Sequence, residues 1–288
     1  MFDPKTTRYP YPEDTGSHYL VVKKDDGTVF DANYPYVDRS KKMKRTQFWM
    51  RVGICTIVYP LLSILLGLKI RGRENLKKHA ETISKGVISV SNHVHLWDYL
   101  SIIKAIRPHR PNVLSWAPDI RGENGKLIRA TGGIPIPEDD MRATIAYIRA
   151  VGKLLEEGGW LQIYAEGSMW EFYAPIRPFK HGLAYFAIKY KKPIIPMGFS
   201  FRKPGWIRKH VFRQEASLTL TIGEPLFANP ELTGKEAEEE LTRRAHEAVC
   251  HLAGIEPSEN PYAPIYSPET GKRVDYYANH YGASPERK

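Results

Sequence analysis

The sequence predicts an α/β fold: a central mixed sheet flanked by helices, with a membrane-associated helical segment ahead of it. Two observations carry that prediction. Strand-like and helix-like apolar patterns alternate from residue 83 to residue 253, which is how a sheet covered by helices is written. Ahead of the alternation stands VGICTIVYPLLSILLGL, residues 52–68, with no charged residue and basic residues on both sides. At 288 residues the chain is long enough for a substantial core, and its formal net charge of +10 suits anionic partners.

The charge-free run comes first. As a helix its 17 residues would span about 26 Å, short of a hydrocarbon core of about 30 Å, and Pro60 interrupts it. Lys41, Lys42, Lys44, Arg45 and Arg51 precede it, Lys69, Arg71 and Arg73 follow, and Phe48, Trp49 and Met50 extend its apolar character. This favours a kinked monotopic segment lying in the cytoplasmic leaflet; a single span and a buried helix are the alternatives. Next, 83–90 reads as a strand, 96–106 as a helix on the spacing of Leu96, Tyr99, Leu100, Ile103 and Ile106, and 112–116 as a strand. The helix at 142–157 carries Ile145, Ile148, Val151, Leu154 and Leu155 on one stripe and stops at Gly158-Gly159. Strands at 160–164, 193–199 and 217–222 and helices at 181–190 and 233–253 complete the order.

The ends differ in composition. Residues 1–40 read as a polar arm, with either a small hairpin around Asp26-Gly27 or a flexible chain there. The opening residues lack the apolar stretch of a signal peptide, so the chain is expected to start in the cytoplasm. The resulting division is 1–40, a membrane-associating segment at 41–71, a domain carrying the chemistry at 72–255, and an extended tail at 256–288.

Two short strings hold the chemistry. NHVHLWD places Asn92, His93 and Asp98 at a strand-to-helix junction. Residues five apart do not share a helix face, so His93 must lie in the turn and bend back toward Asp98 in the first helical turn. That arrangement suits a general base and the carboxylate that orients it. Downstream, YAEGSMW offers Glu166 and Gly167. Taken singly, each has a plain structural explanation: a satisfied hydrogen bond for His93, a helix start for Asp98, a cap for Asn92, a turn for Gly167. The spacing of His93, His95 and Asp98 does not fit a metallo-hydrolase string, and the other histidines form no cluster, so no metal is expected. Cys55 and Cys250 lie far apart and give no disulfide framework. Nucleic acid is not an expected partner, because the basic residues are spread and no nucleic-acid motif is present.

In order and spacing the blocks resemble the lysophospholipid acyltransferase family, of the 1-acyl-glycerol-3-phosphate acyltransferase type, within the glycerolphosphate acyltransferase superfamily. The likeness runs from residue 72 to residue 226. Asn92, His93 and Asp98 fit the family's Asn-His-x-x-x-x-Asp, and Glu166-Gly167 fits its Glu-Gly block. Pro178-Phe179-Lys180-His181-Gly182 and Lys192-Pro193-Ile194-Ile195-Pro196-Met197 follow in the family's order. The resemblance implies an α/β fold of the glycerolphosphate acyltransferase type, with its catalytic groups at strand ends facing a membrane. It implies transfer from an acyl thioester, of coenzyme A or acyl carrier protein and with no cofactor, to the free hydroxyl of a lysophospholipid. The best acceptor is 1-acyl-glycerol-3-phosphate, giving phosphatidate. His93 would be the base and Asp98 its orienter. Glu166 would position the acceptor's glycerol hydroxyls, and Gly167 would allow close backbone approach. Backbone N–H groups near Gly167 or at the helix start would bind the oxyanion, a role worth about 3 kcal/mol per donor. The implied location is the cytoplasmic face of the cell membrane, peripheral or monotopic.

Two positions depart from the family pattern. Glu138 and Met169 stand where arginines that grip the acceptor phosphate are expected, and neither can donate a bidentate contact. Arg129, Arg142, Arg177 and Lys180 are the available substitutes, of which Arg177 and Lys180 lie closest to the Glu-Gly block in sequence. A different lyso-lipid or amino-lipid acceptor is the alternative. A membrane-docked binding protein without catalysis is the reading from another class, which intact His93, Asp98 and Glu166 disfavour. Trp97, Trp170, Phe172, Tyr173 and Trp206 are candidates for an acyl channel or a membrane-facing rim.

Overall fold

The computed structural model describes residue 22 and residues 24–138, 140–170, 172–214 and 216–257. The tail from 258 onward and the first 21 residues lie outside the described residues. Seven strands form one sheet: β1 (Lys69–Arg71), β2 (Val87–Ser91), β3 (Pro111–Trp116), β4 (Gly133–Ile136), β5 (Trp160–Ile163), β6 (Ile194–Arg202) and β7 (Ser217–Ile222). Their order is β1-β7-β6-β2-β5-β3-β4. All neighbours are parallel except β6 and β7, so the sheet is mixed.

Alternation along the strands sends side chains to two cores. On one face Ile88, Val90, Leu161, Ile163 and Ile194 pack with the helices Met141–Glu156, Gly182–Tyr190 and Gly234–Ala253. On the other, Val87, Trp160, Ile195, Met197 and Phe199 pack with the helix Asp98–Ala105 and with Ile54, Cys55 and Tyr59 of the apolar segment. Near-continuous burial of β2, β5 and β6 is what a sheet covered on both faces requires. Three fully buried polar side chains interrupt it: Trp160 Nε1 donates to Ser89 Oγ (2.7 Å), Ser89 to Gln162 (2.5 Å), and Gln162 Nε2 to Ser91 Oγ (3.0 Å). This chain of satisfied bonds fastens β2 to β5 directly beneath the site.

Several sequence expectations change. The strand expected at 83–90 is split: Ala80–Ser84 is a short helix that buries Ile83, and β2 begins only at Val87. No hairpin forms around Asp26-Gly27 among the described residues; Asp25 and Asp26 side chains accept from Gly27 and Thr28 N–H groups and close a turn instead. Nor does the polar arm run unbroken to residue 40. Phe30 and Tyr36 are buried in the first core, and Tyr36 packs edge-on against Tyr147. The short β1 and β4, and the helices Arg73–Lys78, Ala117–Arg121, Gly125–Ala130 and Trp206–His210, were not expected, being too short to show a period.

The apolar segment is longer than its charge-free run. One helix, capped by the Ser40 hydroxyl on the Met43 N–H (3.1 Å), extends from Lys41 to Leu66. It widens into a π turn at Ile54–Val58, which accommodates the N–H that Pro60 lacks. Contacts with the domain are spread along its length. Gln47 donates to Arg129 O (3.4 Å), Arg51 to Pro108 O (2.6 Å), Lys104 to Cys55 O (2.9 Å) and Arg208 to Ile64 O (2.8 Å). One face is therefore strapped to the domain, while Trp49, Ile57, Leu61, Ile64 and Leu65 remain exposed on the other side.

Candidate active site

Parallel pairing explains how two distant strings meet. Val90 of β2 is in register with Ile163 of β5, so His93 and Glu166 leave the sheet from neighbouring strands at the same edge. Ligand sites of open α/β sheets lie at such carboxyl ends. Two backbone bonds join the turns, Trp170 N–H to His93 O (3.3 Å) and Phe172 N–H to Val94 O (2.8 Å). Asn92 does not cap a helix: its amide exchanges two hydrogen bonds with the backbone of Phe199 on β6, at 3.0 and 2.8 Å.

His93 lies in the turn and Asp98 opens the helix Asp98–Ala105, as the spacing requires. Nδ1 of His93 is 2.8 Å from Asp98 Oδ2. Next to a carboxylate Nδ1 carries the proton, which leaves Nε2 with the free lone pair. Nε2 has no hydrogen-bond partner among the described residues, and the side chain retains 23 % exposure. Asp98 itself is 0 % exposed. Its Oδ2 also accepts from the N–H groups of Val94 (3.1 Å) and His95 (3.4 Å), and its Oδ1 from the Tyr164 hydroxyl (2.7 Å).

Tyr164 was not anticipated. Its ring stacks on His93 at 3.9 Å between centroids and 17° between planes. Burial pushes its phenol well above the ordinary tyrosine range, and the Asp98 charge pushes it further, so it stays a donor. The available signal was position, since Tyr164 is the first residue past β5 and thus beside the strand that carries His93. Asp119, on the helix Ala117–Arg121, was also missed. Burial raises its carboxyl, and His93 offsets part of the rise, which puts a second acid within electrostatic reach of the imidazole. His95 turns inward: Nδ1 accepts the Trp97 N–H (3.1 Å), the ring packs on Phe172, and burial lowers its pKa.

Glu166 holds the backbone of His93. Its Oε1 accepts the His93 N–H (2.8 Å), and Oε2 accepts the Arg177 N–H (3.1 Å) and Nε (3.0 Å). Arg177 is 1 % exposed; Nη1 donates to Ser168 Oγ (2.7 Å), Nη2 to Ser168 O, and the guanidinium lies over the Trp170 ring. It braces the Glu-Gly turn and does not reach the open edge. Gly167 has φ +83°, and a β-carbon there would lie 2.5 Å from Lys180 Nζ. Only glycine fits that backbone with the Lys180 side chain laid across it.

Several of the backbone N–H groups at the two turns are already engaged. The N–H groups of Val94 and His95 face Asp98, that of Trp97 faces His95, and that of Gly167 bonds Tyr164 O (3.0 Å). The positions of the two absent arginines are filled otherwise. Met169 is buried, and Glu138 forms a two-pronged pair with Arg121 (2.9 and 3.2 Å), which Asp25 also holds (3.0 Å). Of the aromatic candidates Trp170 and Tyr173 are buried, whereas Trp97 and Trp206 are exposed.

This arrangement lies within a match to the family model described as Acyltransferase, over residues 67–200. Over those residues the chain is similar to the acyltransferase family. Among solved structures the chain is similar to the 1-acyl-sn-glycerophosphate (LPA) acyltransferase PlsC from Thermotoga maritima, at 19 % identity over 76 % of this chain and 83 % of that one, with a TM-score of 0.48. None of the curated proteins matches it.

Proposed function

We propose that this protein transfers an acyl group from a thioester to the free hydroxyl of a lysophospholipid, with 1-acyl-glycerol-3-phosphate as acceptor and phosphatidate as product. The observation that carries the proposal is the His93–Asp98 pair at 2.8 Å, with Asp98 fully buried among donors and Nε2 left for an acceptor hydroxyl. Nε2 takes the hydroxyl proton as its oxygen attacks the thioester carbonyl. The tetrahedral intermediate collapses with cleavage of the carbon–sulfur bond, and the imidazolium returns the proton to the departing thiolate. Asp98 fixes the tautomer and stabilises the imidazolium without itself taking the proton. No covalent enzyme intermediate is needed, because the thioester is already activated; holding the two reactants in line is the main task.

Lys180 is the phosphate ligand in this reading, since its exposed ammonium crosses the Gly167 turn while Arg177 is enclosed. The donor is acyl-coenzyme A or acyl carrier protein, for both of which a protein of net charge +10 is suited. The chain works as a monotopic protein at the cytoplasmic face of the cell membrane. The strapping of the helix Lys41–Leu66 along one side supports this over a span, which would need lipid all around it. A second acceptor class, another lyso-lipid or an amino-lipid, is favoured by one observation. Glu138 places a carboxylate, already paired with Arg121, where a phosphate-binding arginine would stand.

The test is acyl transfer by purified protein with one thioester donor and a panel of lyso-lipids, with His93→Ala alongside. Turnover chiefly on lysophosphatidate, lost in the variant, is expected. Preference for a different headgroup selects the second reading, and transfer that survives His93→Ala removes the base.

A further inference from the structure

The connection between β6 and β7 carries a surface that the reaction does not use. Within seven positions Trp206 (71 % exposed), Ile207 (60 %), Val211 (60 %) and Phe212 stand out from the protein. Around them the sequence reads RKPGWIRKHVFRQ, with Arg202, Lys203, Arg208, Lys209 and Arg213 and no acidic residue. Exposed large apolar side chains gathered in one short segment mark an interaction surface. Their interleaving with cations fits a leaflet that offers acyl chains below anionic headgroups.

Its place in the fold points to the same occupant. The segment leaves the end of β6, which runs parallel to β2, so it projects from the sheet edge that carries His93. Phe201 touches Phe172, and Phe172 packs on His95, which links that strand end to the catalytic turn. The segment is also fastened to the end of the apolar helix: Arg208 Nε donates to Ile64 O (2.8 Å), and Arg202 bonds Gly67 O. Exposed Leu61, Ile64 and Leu65 of that helix therefore adjoin the Trp206 surface at one corner.

We propose that residues 203–213 are a second interfacial anchor, which inserts Trp206, Ile207, Val211 and Phe212 into an anionic leaflet beside the end of the helix Lys41–Leu66. It rests on the membrane association proposed above and names a segment for it. With two anchors at one edge, the strand ends bearing His93 face the lipid surface, and an acceptor need not leave the bilayer to reach them.

The experiment is co-sedimentation of the full chain with vesicles of phosphatidylcholine alone and of phosphatidylcholine containing about one third phosphatidylglycerol. Tighter binding to the anionic vesicles is expected, falling at least about tenfold in Trp206→Ser/Ile207→Ser, with the anionic preference reduced in Lys203→Gln/Arg213→Gln. Binding by the Ser variant equal to that of the parent overturns the anchor while leaving membrane association standing. Absence of all vesicle binding overturns both, and neither result depends on turnover. Self-association of the parent without lipid that the Ser variant abolishes would assign the surface to a second copy and overturn the proposal. Should the Ser variant not fold, the conservative Trp206→Phe serves. Quenching by brominated lipid that is smaller in Trp206→Phe than in the parent is expected, and equal quenching overturns the anchor.

Discussion

Asp98 and Glu166 are both buried carboxylates on turns that leave neighbouring strands, and both hold His93, but they hold different parts of it. Asp98 takes the imidazole Nδ1, two turn N–H groups and the Tyr164 hydroxyl, and among the described residues no arginine or lysine balances its charge. Glu166 takes the His93 backbone N–H and forms an ion pair with Arg177. An unbalanced carboxylate can respond to a proton on the imidazole, whereas one already paired with a guanidinium has no such charge to offer. In the proposed reaction the first turn would carry the chemistry, while the second fixes where the first one sits.

The sharpest way to break this division is Asp98→Asn. Asparagine keeps the shape but can present an N–H to Nδ1, favouring the tautomer whose proton sits on Nε2, the atom proposed to take the acceptor's proton. The expected result is loss of kcat by ~10³–10⁴ with folding retained, measured by acyl transfer beside thermal melting. A loss of only a few-fold would mean that Asp98 is a helix-start residue and that the division is wrong.

Glu166→Gln tests the other half and should act first on stability. It leaves the Arg177 guanidinium, 1 % exposed, without its counter-charge, a loss of about 3–5 kcal/mol and roughly a ten-degree fall in Tm. The sequence alone suggested a different role, that of positioning the acceptor hydroxyls. Glu166→Gln/Arg177→Met distinguishes the two. If Glu166 is a brace, removing both charges should recover much of the Tm and the transfer rate together. Recovery of Tm with transfer still impaired would return Glu166 to the substrate.

That contrast marks what the sequence could and could not reveal. The five-residue gap between His93 and Asp98 is local, and a strand-to-helix turn leaves one way to close it, so their contact was legible. The sheet class was legible too, because buried strands and amphipathic helices alternate in runs long enough to count. The contacts of Glu166, Arg177 and Tyr164 were not legible, because those depend on β2 and β5 being parallel neighbours in a register that no short window records. Arg177 reads like a cation available for phosphate; only packing against Trp170 and Ser168 encloses it. The apolar helix was underestimated at its start for a related reason. Its basic first turns match a headgroup-facing flank, and their helical state depends on the Ser40 cap and on contacts with residues 108 and 129.

The smallest expected effect lies between the two turns, at Tyr164, which leaves β5 on the Glu166 side and serves the carboxylate on the other. Tyr164→Phe keeps the ring stacked on His93 and removes only the bond to Asp98 Oδ1. A hydrogen bond to a charged group is worth about 1.5–3 kcal/mol, and since three donors to Asp98 remain, a loss in kcat/KM on the order of tenfold is expected. A double variant separates this from a general loosening. If the phenol acts through Asp98, Tyr164→Phe added to Asp98→Asn should lower kcat/KM no further than Asp98→Asn does alone. The alkaline side of the pH profile should not respond to Tyr164→Phe, because burial and the Asp98 charge already hold the Tyr164 phenol well above its ordinary range. A further loss in the double variant would make Tyr164 a packing residue only, and Asp98 would then act on His93 without help from the second turn.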